Sequence, residues 1–204
     1  MGKSGTWEDE MEESNYRHID DLDLHPLNEK IYSNVQPDSG LLSSVKKFGL
    51  LEPIVCTPDG IIISGHRRVE ACRKLGIVMV PVRELDDHSS VLEEKLIEFN
   101  RQRVKTSLER VREIRHLQLL WGVKRGTRSD LRDTSAKFDG SPKKRPDTRT
   151  KISKALGLST GNISKLLYIE DVDSELLQWI DDGTCSVHQA YLEARKRKNR
   201  KGYK

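Results

Sequence analysis

A short apolar run that ends at a glycine and continues as a charged helix constrains the fold of this chain more than any other feature. The run is Ile61-Ile62-Ile63, and it leads into Ser64-Gly65-His66-Arg67-Arg68-Val69-Glu70-Ala71. This pattern predicts a buried strand, a tight turn and a helix, because glycine tolerates the backbone conformations that a sharp turn requires. The N-terminal half must therefore combine strands with helices.

The same junction is a candidate anion site. Gly65 lets the backbone approach a ligand, and the first N–H groups of the helix point outward. Arg67 and Arg68 add charged donors that suit a phosphate group. His66 is open to three interpretations: a phosphate contact, a base or a helix cap. Ordinary surface positions are the alternative for the two arginines, and internal ion pairs at both would contradict an anion site.

The apolar pattern changes at Thr106, where mixed strands and helices give way to helices alone. Thr106 and Glu109 form a capping box, which marks the start of the first of these helices. Before this point, Asp59-Gly60 marks a β-hairpin. An apolar fraction of 35% with 33% charged residues fits two small lobes better than one large core. We predict an α+β fold with a small mixed sheet, followed by an all-helical domain. The predicted divisions are an acidic, disordered N-terminus at 1–15, a nucleotide-binding domain at 16–105, a helical domain at 106–195 with a basic loop at 124–149, and a basic tail at 196–204.

Charge is unevenly distributed along the chain, although the net charge is only +4. Residues 1–14 are acidic, whereas residues 195–204 contain seven Lys or Arg and no acid. This asymmetry indicates a polyanionic partner near the C-terminal half. A solvated tail is the alternative.

Cysteine and apolar patterns narrow the class of protein. The cysteines Cys56, Cys72 and Cys185 have no metal-ligand spacing, so we interpret them as reduced structural thiols. No apolar run approaches the ~20 residues of a membrane span, and we expect a cytoplasmic protein without membrane contact.

Residues 152–167 fit a helix-turn-helix. Ser153 is small enough for close helix packing, Gly157 suits the turn, and Ile163 is a branched apolar residue for the helix contact. Short polar side chains then begin the second helix, where they can reach base edges and phosphates in the major groove of double-stranded DNA. A purely structural helical hairpin is the alternative. The predicted DNA-binding residues are Lys143, Lys144, Arg145, Lys151, Ser159, Thr160, Gly161, Asn162, Ser164 and Lys165.

Taken in order, these segments resemble a ParB-type partition protein from about residue 18 to residue 194. The resemblance rests on 48–55, 63–71, Leu75-Gly76 with Val80-Pro81-Val82, 100–103 and the helix-turn-helix. It implies a ParB/sulfiredoxin-like N-terminal domain that binds CTP with Mg²⁺, followed by a helical DNA-binding domain. In such proteins the nucleotide gates a dimer clamp on DNA. Gly65 stands where a sulfiredoxin has its reactive cysteine, so sulfiredoxin chemistry is excluded.

The resemblance also assigns site residues. The family's Gly-Glu-Arg-Arg box, which wraps the triphosphate, appears here as 65–68 with His66 in place of the acid. Its Glu-Asn-x-Gln-Arg box appears as 99–103: Asn100 is implied to help hold Mg²⁺, and Phe99 replaces the glutamate implicated in hydrolysis. The implied cofactor-binding residues are Gly49, Glu52, Pro53, Ser64, Gly65, His66, Arg67, Arg68, Asn100, Gln102 and Arg103.

These observations predict a DNA-binding protein whose cofactors are a nucleoside triphosphate, CTP in preference to ATP, and Mg²⁺. It would act in segregation or transcriptional control of a plasmid, phage or mobile element. We expect a homodimer associated with the nucleoid or a plasmid, with a partner ATPase where one exists. No catalytic residue is assigned, and any enzymatic activity is at most slow NTP hydrolysis. The alternatives are a nuclease, NTPase or small-molecule kinase on the same fold, or a DNA-binding regulator without nucleotide binding. Replacing Arg67 and Arg68 together is expected to abolish nucleotide binding and leave the fold intact.

Overall fold

A computed structural model describes residues 15–32, 36–121 and 148–201 of the chain. Contacts divide the chain into two compact units, residues 1–102 and 103–204. The second unit thus begins three residues before the boundary at 106 that the sequence predicts. The first unit combines a sheet with helices, and the second is helical in its described part. The predicted α+β fold class is confirmed.

The first unit is built on a five-stranded sheet. Its strand order is β1-β5-β3-β4-β2, with β1–β5 and β3–β4 antiparallel and β3–β5 and β2–β4 parallel. Strands β1 and β2 and helix α1 were not predicted, because they are short and carry little apolar pattern. The elements are β1 Asn15–His18, a 3-10 turn Ile19–Asp21, β2 Asp23–Leu24, α1 Pro26–Ile31, α2 Ser39–Phe48, β3 Ile54–Cys56, β4 Ile61–Ser64, α3 His66–Leu75, β5 Met79–Glu84 and α4 Ser89–Phe99.

The core of this unit lies between the sheet and the helices α2 and α3. Alternate strand residues point into it, since successive side chains of a strand face opposite sides. The buried cluster combines Ile54 and Cys56 of β3 with Ile62 of β4 and Val69 and Cys72 of α3. The predicted strand, glycine and helix at 61–71 therefore form one packed corner of the unit.

The hairpin between β3 and β4 turns at Gly60, as the Asp59-Gly60 pair predicted. Gly60 has a φ of 87°, which favours glycine. A Cβ at this position would lie 2.1 Å from the carbonyl oxygen of Asp21, so the 3-10 turn packs directly on the hairpin. The N–H of Asp23 also donates to the Gly60 carbonyl at 3.0 Å. The turn thus fixes both the hairpin and the start of β2.

The second unit consists of helices in its described part. They are α5 Ser107–Leu120, α6 Thr148–Leu156, α7 Thr160–Val172, α8 Glu175–Asp181 and α9 Val187–Lys201. The predicted capping box is present, with Thr106 and Glu109 each bonded to the other's backbone N–H. The segments predicted as an acidic N-terminus and a basic loop lie outside the described residues, except that Asn15 belongs to β1 and 148–149 begin α6. Helix α9 extends to Lys201, into the predicted tail.

Apolar packing and ion pairs hold the second unit together. Ile163 and Ile169 of α7 are fully buried. Arg115 of α5 lies 2.7 Å from the Glu170 carboxylate and 2.5 Å from that of Asp171, both on α7. Burial alone would lower the pKa of Arg115, but its bonds to these two carboxylates raise it above the usual value. None of the helices in the described ranges has the length and apolar character to cross a bilayer.

Candidate functional site

The predicted strand–glycine–helix junction is present between β4 and α3. Gly65 is the N-cap of α3, with a φ of 104°, so it occupies a conformation that other residues rarely adopt. A Cβ on Gly65 would lie 3.3 Å from Cγ1 of Ile54 and 3.5 Å from Nε of Arg68. Glycine has no side chain with which to cap the helix, so the first-turn N–H groups of α3 are not satisfied by their own N-cap residue.

Arg67 lies on the surface of this junction. Its Nη2 is 2.5 Å from the Asp38 carboxylate, and its Nε donates to the carbonyl of Gln36 at 3.2 Å. The side chains of Arg67 and Asp38 are 40% and 64% exposed, so water screens their pairing. Asp38 also caps α2 by accepting from the N–H of Leu41 at 2.8 Å. The bond from Leu41 is the larger cause, and the bond from Arg67 the second, of a pKa of the Asp38 carboxyl that lies below its usual value.

Arg68 has a different environment from its neighbour. Its Nη1 donates to the backbone carbonyls of Glu52 at 2.7 Å and Pro53 at 3.1 Å. The Glu52 carboxylate lies 3.2 Å away, and the Arg68 side chain is only 20% exposed. Burial lowers the pKa of the Arg68 guanidinium, and the charge of Glu52 opposes that shift. Arg68 therefore holds the segment that leads into β3.

The anion site predicted from two free arginines is not supported, because both guanidinium groups lie in ion pairs with carboxylates of the chain. A site that uses Arg67 alone stays a prediction, since its side chain is 40% exposed, whereas that of Arg68 is only 20% exposed. The two arginines are held by different partners. Arg68 bonds to two main-chain carbonyls that need a donor, whereas Arg67 pairs with an exposed carboxylate. Sequence reasoning missed the partners Gln36 and Asp38, although Asp38 had a signal as a helix cap.

Three other residues that the resemblance implies for cofactor binding have different environments. Gly49 follows α2 with a φ of 72° and has open space where a Cβ would stand. Ser64 ends β4 and is half-buried. His66 is 5% exposed, so its side chain faces the interior of the unit. A side-chain contact between His66 and a surface phosphate, one of the interpretations of the sequence, receives no support from this burial.

The residues of the second predicted box do not form one cluster. Asn100 follows α4, and its Nδ2 donates to the carbonyl of Leu96 at 2.9 Å. Gln102 is exposed, whereas Arg103 lies 3.4 Å from the Glu109 carboxylate in the second unit. Within the described residues, no group of three or more His, Cys, Asp or Glu side chains is arranged to hold a metal ion. Asn100 therefore offers one carboxamide oxygen at most.

A cleft of about 280 Å³ lies beside α4, on the surface that it shares with β5. Phe99 lines it together with Arg83 and Leu85. Lys95, also in the lining, is 2.5 Å from Asp87. The sequence carried no signal for this cleft, because its lining residues come from two separated elements.

In the second unit, helices α6 and α7 meet at a short turn, as predicted. Gly157 has a φ of 66°, and the hydroxyl of Ser153 donates to the carbonyl of Leu158 at 2.6 Å. Ile152 of α6 and Ile163 of α7 are both buried. Ser153 thus fastens the turn as well as allowing close packing of the helices.

The first turn of α7 exposes three of the predicted DNA-binding residues. Thr160, Gly161 and Asn162 are exposed, and Lys165 is half-buried one turn later. The Ser159 hydroxyl accepts from the N–H of Asn162 at 3.2 Å and so caps the helix. The predicted residue Ser164 is half-buried, and its hydroxyl donates to the Thr160 carbonyl at 3.0 Å. The two serines therefore have structural bonds, and the other side chains remain for a partner.

The predicted basic contacts are only partly described. Lys151 of α6 is exposed, and its Nζ lies 3.7 Å from the ring centroid of Trp121. This cation–π contact orients the ammonium group on the surface. Lys143, Lys144 and Arg145 lie outside the described residues.

Comparisons with known proteins agree with this fold. Residues 8–99 match the ParB N-terminal domain family. The chain is 36% identical over 67 residues to the ParB-like nuclease domain-containing protein YnaK of Escherichia coli, a match over 33% of this chain and 76% of that protein. It is 33% identical over 67 residues to the uncharacterized protein ORF326b of Acidianus two-tailed virus, but the match spans 32% of this chain and only 20% of the viral protein.

A solved structure covers both units. It is the C-terminally truncated chromosome-partitioning protein ParB from Caulobacter crescentus in complex with the centromeric parS site. The TM-score is 0.54 with 19% identity, over 89% of this chain and 84% of that one. The fold is thus that of ParB-type proteins. The chain belongs to the ParB family, as the order of its motifs predicted.

Proposed function

We propose that the protein is a DNA-binding member of the ParB family and that its helical unit contacts double-stranded DNA through the first turn of α7. The observation that carries this proposal is the exposed run Thr160, Gly161 and Asn162 at the start of a helix fixed by a tight turn. The Caulobacter relative, which has the same fold, was solved with its parS site. A helix-turn-helix places this part of its second helix in the major groove.

The chemistry of this turn suits a duplex. Asn162 can donate and accept at the same time, which is how an asparagine reads adenine in the major groove. Lys165 and Lys151 supply positive charge, and phosphate contacts of this kind position a protein without reading sequence. The N–H groups at the start of α7 add a favourable field for phosphates.

The N-terminal unit is proposed to bind a nucleoside triphosphate, with CTP favoured over ATP. The N–H groups of the first turn of α3 and the guanidinium of Arg67 fit a phosphate group, once that phosphate replaces the exposed carboxylate of Asp38. Mg²⁺ would neutralise phosphate charge when bound. Asn100 is the residue that would hold it, with phosphate oxygens and water completing the shell, as Mg²⁺ prefers.

The two activities are proposed to be coupled, so that nucleotide binding changes how a homodimer holds DNA. Such a device fits the segregation or transcriptional control of a plasmid, phage or mobile element, with a partner ATPase in the first case. Phe99 at the position of the hydrolytic glutamate supports a binding switch with at most slow hydrolysis.

The DNA proposal is tested by titrating fluorescent duplexes with the parent and two substitutions. Lys165→Gln is expected to weaken binding to all duplexes alike, because it removes a phosphate contact, whereas Asn162→Ala is expected to reduce the preference among sequences. Lys46→Gln, which removes one exposed charge from α2, is the matched control. Equal behaviour of Lys165→Gln and the control would rule out the placement of α7 on DNA.

The nucleotide proposal is tested by calorimetry with CTP and ATP in the presence of Mg²⁺. Arg67→Ala removes the proposed ligand and is expected to lower the affinity. Asp38→Asn keeps an N-cap for α2 but removes the competing charge, so it is expected to raise the affinity. Lys46→Ala again controls for charge on the surface. The two substitutions must change the affinity in opposite directions, and a change in the same direction contradicts the site.

A further inference from the structure

The second half of α9 is the most basic helical segment in the described part of the chain. Five of the six positions 195–200 are cationic. They are Arg195, Lys196, Arg197, Lys198 and Arg200. Arg197 pairs with two carboxylates of the unit, with its Nη1 2.5 Å from that of Asp173 and its Nε 3.5 Å from that of Glu193.

The other four cations are exposed to solvent. Lys196 lies 3.7 Å from the Glu193 carboxylate, a loose surface contact. Among the residues that the structure describes, no carboxylate pairs with Arg195, Lys198 or Arg200. This arc of α9 therefore presents uncompensated positive charge.

This charge is carried by a fixed helix rather than by the loose tail expected from the sequence. The pair between Arg197 and Asp173 ties α9 to the C-terminal end of α7. Nearby, the rings of Tyr168 and Tyr191 meet edge to face with centroids 5.1 Å apart, and Ala194 is fully buried. The exposed cations thus keep defined positions, which lowers the entropy that a partner must remove on binding.

We infer that the exposed arc formed by Arg195, Lys196, Lys198 and Arg200, called here the α9 basic arc, binds the phosphate backbone of double-stranded DNA without reading its sequence. This inference rests on the proposed function, since it concerns the same partner. From Arg195 to Arg200 the helix advances about 7.5 Å. One strand of a duplex presents two to three phosphates over about that distance.

Two further observations favour a duplex over a single strand. Proteins that bind single strands stack bases on open aromatic rings. Here Lys198 lies 5.4 Å from the Tyr168 ring centroid and Arg195 lies 5.9 Å from that of Tyr191, so both rings are already engaged. These two tyrosine rings therefore offer no open stacking surface beside Arg195 and Lys198.

The α9 basic arc is separate from the turn proposed to read bases. Its anchor Asp173 follows the C-terminal end of α7, whereas Thr160 begins that helix. The two ends of a helix of 13 residues are about 20 Å apart. Substitutions in the arc can therefore remove charge without touching the first turn of α7.

The experiment measures fluorescence anisotropy of several duplexes of different sequence, and of a single strand of the same length, between about 50 and 200 mM salt. The test variant of the full chain combines Arg195→Gln, Lys198→Gln and Arg200→Gln. The control combines Lys30→Gln, Lys46→Gln and Lys47→Gln, which remove the same charge from exposed positions in the first unit. Circular dichroism confirms that both variants remain folded, as their exposed positions predict.

The arc variant is expected to bind every duplex roughly ten-fold more weakly than the control at the lower salt concentration. The slope of log affinity against log salt should become shallower by about 0.9 for each phosphate that the variant no longer neutralises, and the preference among sequences should not change. An arc variant that matches the control overturns the inference and leaves the proposed function standing. If the parent binds no duplex, the proposed function and the inference both fail. If the arc variant binds only single strands more weakly, the arc has been assigned the wrong partner.

Discussion

Replacement of Arg68 is predicted to destabilise the first unit much more than replacement of Arg67, although the two residues are adjacent. Arg68 donates to the carbonyls of Glu52 and Pro53, which are 16 and 15 residues away and lead into β3. Arg67 makes an exposed pair with Asp38. The double substitution, expected from the sequence to leave the fold intact, is therefore predicted to weaken it.

The magnitude follows from the hydrogen bonds that the substitution removes. A hydrogen bond from a charged donor contributes about 1.5–3 kcal/mol when its acceptor is otherwise left without a partner. One guanidinium nitrogen of Arg68 serves both carbonyls, and water reaches the carbonyl of Glu52, which reduces the sum. We therefore expect Arg68→Ala to cost about 2 kcal/mol. The pair of Arg67 with Asp38 is exposed and screened by water, so Arg67→Ala should cost less than half as much.

The free energy of unfolding is measured by guanidinium chloride titration followed by circular dichroism. Hydrogen–deuterium exchange of the β3 and β4 amides then localises the destabilisation to the first unit. Arg68→Lys, which keeps the charge but not the fork of donors, should be intermediate. Equal destabilisation by Arg67→Ala and Arg68→Ala, or no measurable destabilisation by Arg68→Ala, would refute the structural role of Arg68.

Two other predictions concern the first unit and its thiols. Gly60→Ala should lower the free energy of unfolding by about 3 kcal/mol, because strain at positive φ is joined by a clash with the backbone of Asp21. Gly76→Ala should cost about 1 kcal/mol, because Gly76 has a φ of 70° but open space around it. Denaturant titration compares the two variants, and equal costs would count against the clash. Burial raises the pKa of the Cys56 and Cys72 thiols, so iodoacetamide at mildly alkaline pH should modify the half-exposed Cys185 first. Mass spectrometry detects the order of modification. Simultaneous modification of all three cysteines would contradict the buried positions of Cys56 and Cys72.

Local signals in the sequence predicted much of the fold. Thr106 opens the capping box of α5, Gly60 turns the hairpin between β3 and β4, and Gly157 makes the turn before α7. Each of these features depends on residues within a few positions of one another. Strand β1 and helix α1 were missed, because short elements with little apolar pattern gain their stability from tertiary contacts.

The candidate site shows where local reasoning ends. The sequence marked Arg67 and Arg68 as a pair, but their partners Asp38 and Glu52 lie 29 and 16 residues away and distinguish their environments. Only the folded chain reveals that Arg68 is the less exposed of the two and bonds to the carbonyls of Glu52 and Pro53. The recognition of the ParB family was correct, because it depended on the order of several motifs rather than on one contact.

The most direct test of the account is a selection of bound sequences from a random pool of duplexes, performed with the parent and with Asn162→Ala. The account predicts that the parent enriches a defined motif and that Asn162→Ala broadens it, while Lys165→Gln retains the motif with less recovered DNA. If Asn162→Ala enriches the same motif as the parent, or the parent enriches none, the proposal that α7 reads duplex DNA is contradicted.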